Sequence, residues 1–139
     1  MSEGSEKQDE GQKLEQRDNF TDLEVYSDLS PAVTKTFRLL ESMEEFNTFY
    51  DFILEEIKHD TANLLPRLAD GYNLYHYSDK AEAYSDVRSG ASRVQSRLLI
   101  LSNLDFLGTQ QVDDVCRDLE VCINRLSGLI RKMEEQGGR

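Results

Sequence analysis

Residues 109–133, TQQVDDVCRDLEVCINRLSGLIRKM, decide the fold of this chain. Their apolar side chains recur at alternating steps of three and four, which is the spacing of one stripe along an α-helix. The stripe consists of Val112, Val115, Cys116, Leu119, Cys122, Ile123, Leu126, Leu129, Ile130 and Met133. A helix of this kind is stabilised mainly by burying its apolar face, so it needs partner helices. The pattern therefore predicts a helical bundle.

Three further apolar stripes precede this one and predict three more helices. They cover residues 19–43, 44–72 and 78–102, and short polar segments connect them. Four helices of similar length with short connections are typical of an antiparallel up-and-down bundle. We therefore predict an all-α, antiparallel four-helix bundle over residues 19–135.

The two ends of the chain offer little that a core could bury. Residues 1–18 contain one leucine and no aromatic residue, which predicts a disordered acidic and polar N-terminal tail. Residues 136–139 predict a flexible C-terminus.

Polar residues and prolines predict where the helices start and bend. The predicted caps are Thr21 with Glu24, Asp79 with Glu82, and Thr109 alone. Pro31 and Pro66 each remove one backbone hydrogen bond, so we expect them to bend the first and second helices. At Pro31 the alternative is that a short helix ends and Ser30 caps a new one, and we favour a single bent helix.

The charge of the chain limits its partners. The 139 residues carry a net charge of −11, whereas nucleic-acid binding needs a basic surface. The charge is uneven, because residues 1–75 have a net charge of −10 and residues 76–139 of −1. The second half could therefore present a local positive surface.

Five basic residues of the second half are candidates for binding nucleic acid or a partner. They are Arg93, Arg97, Arg125, Arg131 and Lys132. The first two lie one turn apart on the third predicted helix, and the others lie on the fourth. The alternative is that they pair with acidic residues of the same chain, which the negative net charge favours.

The segment between the second and third predicted helices carries three tyrosines and a histidine within residues 72–77. Such aromatic rings either stack on nucleotide bases or pack against protein, and packing is the more common use.

The cysteines and the hydropathy favour the cytoplasm. Cys116 and Cys122 are six residues apart on one helix, about 240° around its axis, so they cannot bridge each other. Free thiols suit a reducing compartment. Apolar runs are shorter than the ~18 residues of a membrane span, so we predict no membrane association.

The sequence does not predict an enzyme, a metal site or a cofactor. Acidic pairs such as Glu55-Glu56 are adjacent and therefore point to different sides of a helix. Glu56 and His59 have the Glu-x-x-His spacing of di-metal bundles, but His76 has Asn73 where a second motif requires Glu. The ligand set is incomplete.

The third predicted helix is more apolar than a four-helix core needs. Residues 98–101 are Leu-Leu-Ile-Leu, which is apolar on every side of one turn. Such a helix is either central in its bundle or covered by another subunit. We predict the second, a homo-oligomer with Leu99 or Ile100 in the interface. Further apolar residues lie beside the stripes of the first two helices, namely Val25, Leu39, Leu40, Leu54 and Leu74.

Four short motifs resemble those of a known bacterial four-helix-bundle family, first described as products of intervening sequences in large-subunit ribosomal RNA. FTDLEVY at residues 20–26 resembles its F-x-x-L-x-V-W/Y opening, and LPRLADG at 65–71 is similar to I-P-x-N-I-A-E-G. Gly90-Ala91-Ser92 stands where the family has G-S/A-x-x-E, without the acidic residue. RLSGLI at 125–130 matches the closing R-x-L-x-x-L-I.

The resemblance covers residues 20–133 and implies a ring-shaped homo-oligomer, commonly a pentamer. Relatives act as accessory variability determinants of diversity-generating retroelements, which bind a reverse transcriptase and its RNA through a basic surface. This chain is acidic instead. The resemblance thus predicts a non-enzymatic oligomeric adaptor for a protein partner such as a reverse transcriptase, with direct RNA or DNA binding as the alternative.

Overall fold

The computed structural model describes residues 19–43 and 46–138, and every long element in them is helical. The four α-helices are α1 (Glu24–Glu41), α2 (Asp51–Asn73), α3 (Tyr77–Asn103) and α4 (Thr109–Gly137). Short 3-10 turns, Phe20–Asp22 and Thr48–Tyr50, precede α1 and α2. The predicted all-α class is confirmed for this part of the chain. The predicted tail at residues 1–18 lies outside the described residues.

The core lies along the common axis of the four helices, where the predicted stripes converge. Helix α3 packs against α2 and α4, and α1 packs against α4 and α2. All four helices contribute fully buried leucine or isoleucine side chains, including Leu29, Ile57, Leu68, Leu98, Leu101, Leu119 and Leu126. Burying each such side chain contributes roughly 1.5–3 kcal/mol, so this core is the main favourable contribution to the stability of the fold.

Polar contacts between neighbouring helices fix how they are aligned. Between α3 and α4, the Gln95 side-chain amide donates to the Cys116 carbonyl at 2.9 Å. Arg88 Nη1 donates to Ser127 Oγ at 3.2 Å along the same seam. Between α1 and α4, Lys35 forms an ion pair with Asp118 at 2.7 Å.

The predicted helix caps are wrong. Leu23 precedes α1, His76 precedes α3 and Gly108 precedes α4, and none of the three caps its helix with a side-chain hydrogen bond. Near the first predicted box, Asn19 Oδ1 accepts from the Thr21 N–H at 3.1 Å and so starts the 3-10 turn instead. Thr109 is already inside α4.

Helix α2 begins later than predicted, at Asp51 rather than near residue 44. Asn47 is the cause, because its side-chain oxygen accepts from the Phe49 N–H at 2.9 Å and starts a separate 3-10 turn. Phe46 therefore lies outside the helix, and its ring packs against Phe106 with centroids 4.9 Å apart.

The two prolines lie inside continuous helices, Pro31 in α1 and Pro66 in α2. The first predicted helix is therefore continuous through Pro31, but it spans Glu24–Glu41 rather than residues 19–43. Helix α4 continues through Gly137, two residues past the predicted boundary. Within the described ranges, no helix has both the length and the hydropathy needed to cross a membrane.

Candidate interaction surface

Two of the predicted basic residues, Arg93 and Arg97 on α3, converge on one acidic residue of α2. Arg93 Nε and Nη2 donate to Asp60 Oδ2 and Oδ1 at 3.1 and 3.3 Å. Arg97 Nη1 donates to Asp60 Oδ2 at 2.5 Å, and Arg97 Nε lies 3.3 Å from Glu56 Oε1. We call these four residues the acid–arginine cluster. The cluster joins α2 to α3.

The electrostatics keep the central carboxylate of this cluster ionised. Its side chain is 13% exposed, and this burial alone would raise the pKa of Asp60. The hydrogen bonds and charges of the two arginines outweigh the burial, so the pKa of Asp60 is lowered. Asp60 in turn raises the pKa of Arg93. Two guanidinium groups thus face two carboxylates, and the cluster is close to neutral.

The other predicted basic residues lie elsewhere. Arg125 on α4 faces α1, where it forms ion pairs with Glu24 at 2.5 Å and with Asp28. The α1–α4 seam and the α2–α3 seam lie on opposite sides of the bundle. The reason is that α3 contacts α2 and α4, while α1 contacts the other sides of α2 and α4. Arg131 and Lys132 are exposed near the end of α4. The structure therefore brings Arg93 and Arg97 together but does not unite the five residues in one patch.

The Glu-x-x-His motif has other partners. Glu56 belongs to the acid–arginine cluster, and the His59 ring lies within 3.5 Å of the Asn63 side-chain amide. Among the residues that the structure describes, no three histidine, cysteine or acidic side chains are grouped so as to hold a metal ion.

The apolar residues of α3 that lie outside its buried stripe are exposed on the surface. Leu98 and Leu101 are fully buried, whereas Leu99 is 44% and Ile100 is 42% exposed. Both candidate interface residues therefore point outward. The prediction that Val25, Leu39 and Leu40 lie beside the buried stripe of the first helix is wrong. All three are buried in the core. Their burial follows from α1 packing between two neighbours, which widens its buried face.

Other large apolar side chains on α2 and in the segments next to α2 and α3 are also exposed, and this was not predicted. Phe49 is 72%, Phe52 58% and Leu104 38% exposed. The contact between Glu56 and Arg97 aligns the two helices, and Phe52 lies one turn before Glu56 while Ile100 lies about one turn after Arg97. Both side chains are therefore on the same outer side of the α2–α3 pair.

The connection between α2 and α3 exposes its aromatic rings. Tyr75 is 88% and Tyr77 44% exposed, and the Tyr75 ring meets His76 edge-on at 5.1 Å. Lys80 follows them near the start of α3, and its Nζ donates to the carbonyl oxygens of Gly71 and Tyr72 at 3.1 and 2.5 Å. Burial lowers the pKa of Lys80. This lysine satisfies carbonyl groups at the end of α2 that no helical N–H reaches.

Comparison with known proteins finds no matching family model and no matching curated protein. The resemblance to the intervening-sequence family thus depends on the four motifs named above.

Proposed function

We propose that this chain is a non-enzymatic adaptor that assembles with copies of itself and binds a protein partner. One observation carries the proposal, namely the exposure of Leu99 and Ile100 at 44% and 42% beside fully buried neighbours. Large apolar side chains gain roughly 1.5–3 kcal/mol each when they are buried completely. Large apolar side chains exposed on one turn of a helix are typical of surfaces that bind other proteins.

The arrangement that we propose for each copy is an antiparallel up-and-down bundle. Two seams support it. Between α3 and α4, Gln95 contacts Cys116 and Arg88 contacts Ser127, so residue numbers fall on one helix as they rise on the other. Between α2 and α3, Asp60 contacts Arg93 and Arg67 contacts Asp86 in the same inverse order.

We further propose a closed ring of copies, which is the assembly that the family resemblance implies. Closed point-group symmetry is the usual outcome of association between identical chains. The resemblance also supplies a candidate partner, a reverse transcriptase, and the free thiols favour a cytoplasmic setting.

Direct RNA or DNA binding is the alternative function. The observation in its favour is the stretch of residues 87–103 on α3, which holds three arginines and no acidic residue. Against it, Asp60 and Glu56 already occupy two of those arginines. The net charge of −11 also repels phosphate at long range.

Light scattering of the purified chain at micromolar concentration tests self-assembly. We expect a mass several times the 16.0 kDa of one copy. A mass of one copy at all accessible concentrations would contradict the proposal. Partner binding is tested separately, by co-purification with a reverse transcriptase encoded beside the gene and, as a control, with an unrelated reverse transcriptase.

A further inference from the structure

We infer that the exposed aromatic rings between α2 and α3 bind a basic segment of a protein partner, one that carries arginine or lysine side chains. The inference rests on the proposed partner binding and adds its location and the chemistry of the partner. We call Tyr75, His76 and Tyr77, with the acidic residues Asp79 and Glu134, the tyrosine surface. It lies where the end of α4 meets the start of α3.

Direct contacts join the parts of the tyrosine surface. The rings of Tyr75 and His76 meet edge-on, with centroids 5.1 Å apart. The end of α4 lies against Tyr77, since a Cβ built on Gly137 would be 2.9 Å from the Tyr77 Cβ. Glu134 is three residues before Gly137 and therefore lies on the same side of α4. The surface is thus continuous from the connection to the last turn of α4.

The tyrosine surface is exposed, and its backbone is held in place. Tyr75 is 88% exposed, which is the largest exposure among the large apolar side chains of the described residues. The Lys80 amine ties the first turn of α3 to the last turn of α2 through the carbonyl oxygens of Gly71 and Tyr72. A backbone that is ordered before binding loses less entropy on binding, and tyrosine is enriched in protein interfaces. The surface therefore suits a protein partner.

The charges beside the rings favour a basic partner. Asp79 and Glu134 are exposed, and within the part of the chain that the structure describes neither has an ion-pair partner. Residues 73–79 contain no arginine or lysine, and the amine of Lys80 is taken up by carbonyl groups of α2. Aromatic faces attract arginine and lysine cations, and carboxylates add to the attraction. An arginine side chain therefore finds both kinds of partner here.

The charge of the whole chain acts in the same direction. A net charge of −11 attracts a basic protein at long range and repels nucleic acid. The exposed cations Arg131 and Lys132 lie six and five residues before Gly137 on α4, so they are roughly 8–9 Å further along the bundle. They leave the rings and the two carboxylates accessible to a basic segment.

A labelled peptide tests the inference on the full chain. The fluorescein-labelled peptide alternates arginine with glycine and serine, and a matched peptide has glutamine in place of every arginine. We expect fluorescence anisotropy to show binding of the arginine peptide alone. Tyr75→Ala should weaken this binding at least about fivefold, because it removes a cation–π contact. Tyr75→Phe keeps the ring and should bind like wild type. Phe52→Ala removes an exposed ring at the other end of α2 and should also bind like wild type.

Lys80→Met separates the holding role of Lys80 from simple electrostatics. Removing a positive charge near the surface strengthens the binding of an arginine peptide if charge alone matters. We expect binding to weaken by at least about twofold instead, because the connection loses the contacts that order it. Far-UV circular dichroism checks that each variant keeps its helices.

Three results would overturn the inference. They are equal binding of the arginine peptide by Tyr75→Ala and wild type, equal binding of the arginine and glutamine peptides, and stronger binding by Lys80→Met. A single-stranded uridine oligonucleotide that binds more tightly than the arginine peptide and depends on Tyr75 would assign the surface to nucleic acid and overturn it too. Light scattering and partner co-purification test the proposed function separately, so that function can stand when the peptide result fails.

Discussion

Arg93 and Asp60 form a two-pronged hydrogen-bonded ion pair across the α2–α3 seam, with both carboxylate oxygens of Asp60 accepting from the guanidinium of Arg93. This geometry is the one by which arginine binds carboxylates and phosphates most selectively. Here the anion comes from the chain itself. Two of the five residues that sequence analysis singles out for binding a partner, Arg93 and Arg97, therefore hold α2 and α3 together.

We expect Asp60→Asn to destabilise the fold by about 1–3 kcal/mol, because it leaves two guanidinium groups facing a neutral amide in a partly buried site. Urea unfolding at neutral pH measures this. Asp86→Asn is the control, since Asp86 also pairs with an arginine, Arg67 at 2.8 Å, but is 55% exposed. Exposed pairs contribute roughly 0–1 kcal/mol. Equal losses in the two variants would contradict the central position of Asp60.

The stability that Asp60 contributes should decrease as the pH is lowered. The pKa of Asp60 is lowered in the folded chain from its ordinary 3.8, so the unfolded chain takes up a proton first as the pH falls. The contribution is therefore complete well above pH 3.8 and is lost as the pH falls through the lowered folded pKa. We expect the stability difference between wild type and Asp60→Asn to be constant from pH 7 to 5 and to shrink below pH 4. A difference that grows in acid would refute this assignment.

Charges at the two exposed positions of α3 should separate assembly from folding. We expect Leu99→Glu and Ile100→Glu to give smaller particles that remain helical, since these side chains are 44% and 42% exposed. Leu98→Glu places the same charge at a fully buried position and should unfold the chain instead. Light scattering and circular dichroism measure both outcomes. Loss of helicity in all three variants would show that exposure does not distinguish the positions.

Nucleic-acid binding, where a gel shift detects it, should depend on the arginines of α3. We expect Arg93→Gln with Arg97→Gln to abolish the shift and its salt dependence, because phosphate contacts release counterions. Glutamine avoids placing a further acid beside Asp60. Arg125→Gln, on the opposite side of the bundle, is the control and should retain binding. Unchanged binding in the double variant would point to the exposed rings of Tyr75 and Tyr77.

The helices and their buried faces were predictable from the sequence, because burial imposes the same spacing on every stripe. Val112, Leu119 and Leu126 lie on the predicted stripe of α4 and are fully buried. The first residue of each helix was less predictable. A single side-chain hydrogen bond can determine it, and several nearby polar residues are able to form that bond. Asn47, for example, displaces the start of α2 by beginning a separate turn.

The candidate surface was only partly predictable. The exposure of Leu99 or Ile100 was predictable because residues 98–101 are all apolar, whereas one buried stripe uses only some of the four positions. Helical spacing alone would place Phe49 among the buried residues of the second helix, whereas Phe49 lies in the 3-10 turn before α2 and is exposed. The pairing of Arg93 with Asp60 joins residues 33 positions apart and depends on how α2 and α3 are aligned, which periodicity does not specify.

Two helical glycines should respond to alanine in opposite directions. At Gly71, an added Cβ would lie 2.6 Å from Cε1 of Tyr84, whose side chain is buried and cannot move aside. We expect Gly71→Ala to destabilise the fold by about 1–3 kcal/mol through overpacking between α2 and α3. Gly128 lies inside α4, and an added Cβ there meets nothing within 4 Å. Alanine at that position restricts the unfolded chain and favours the helix, so Gly128→Ala should stabilise by about 0.4–1 kcal/mol. Urea midpoints that move in the same direction for both variants would contradict the close approach of α2 to α3 at Gly71.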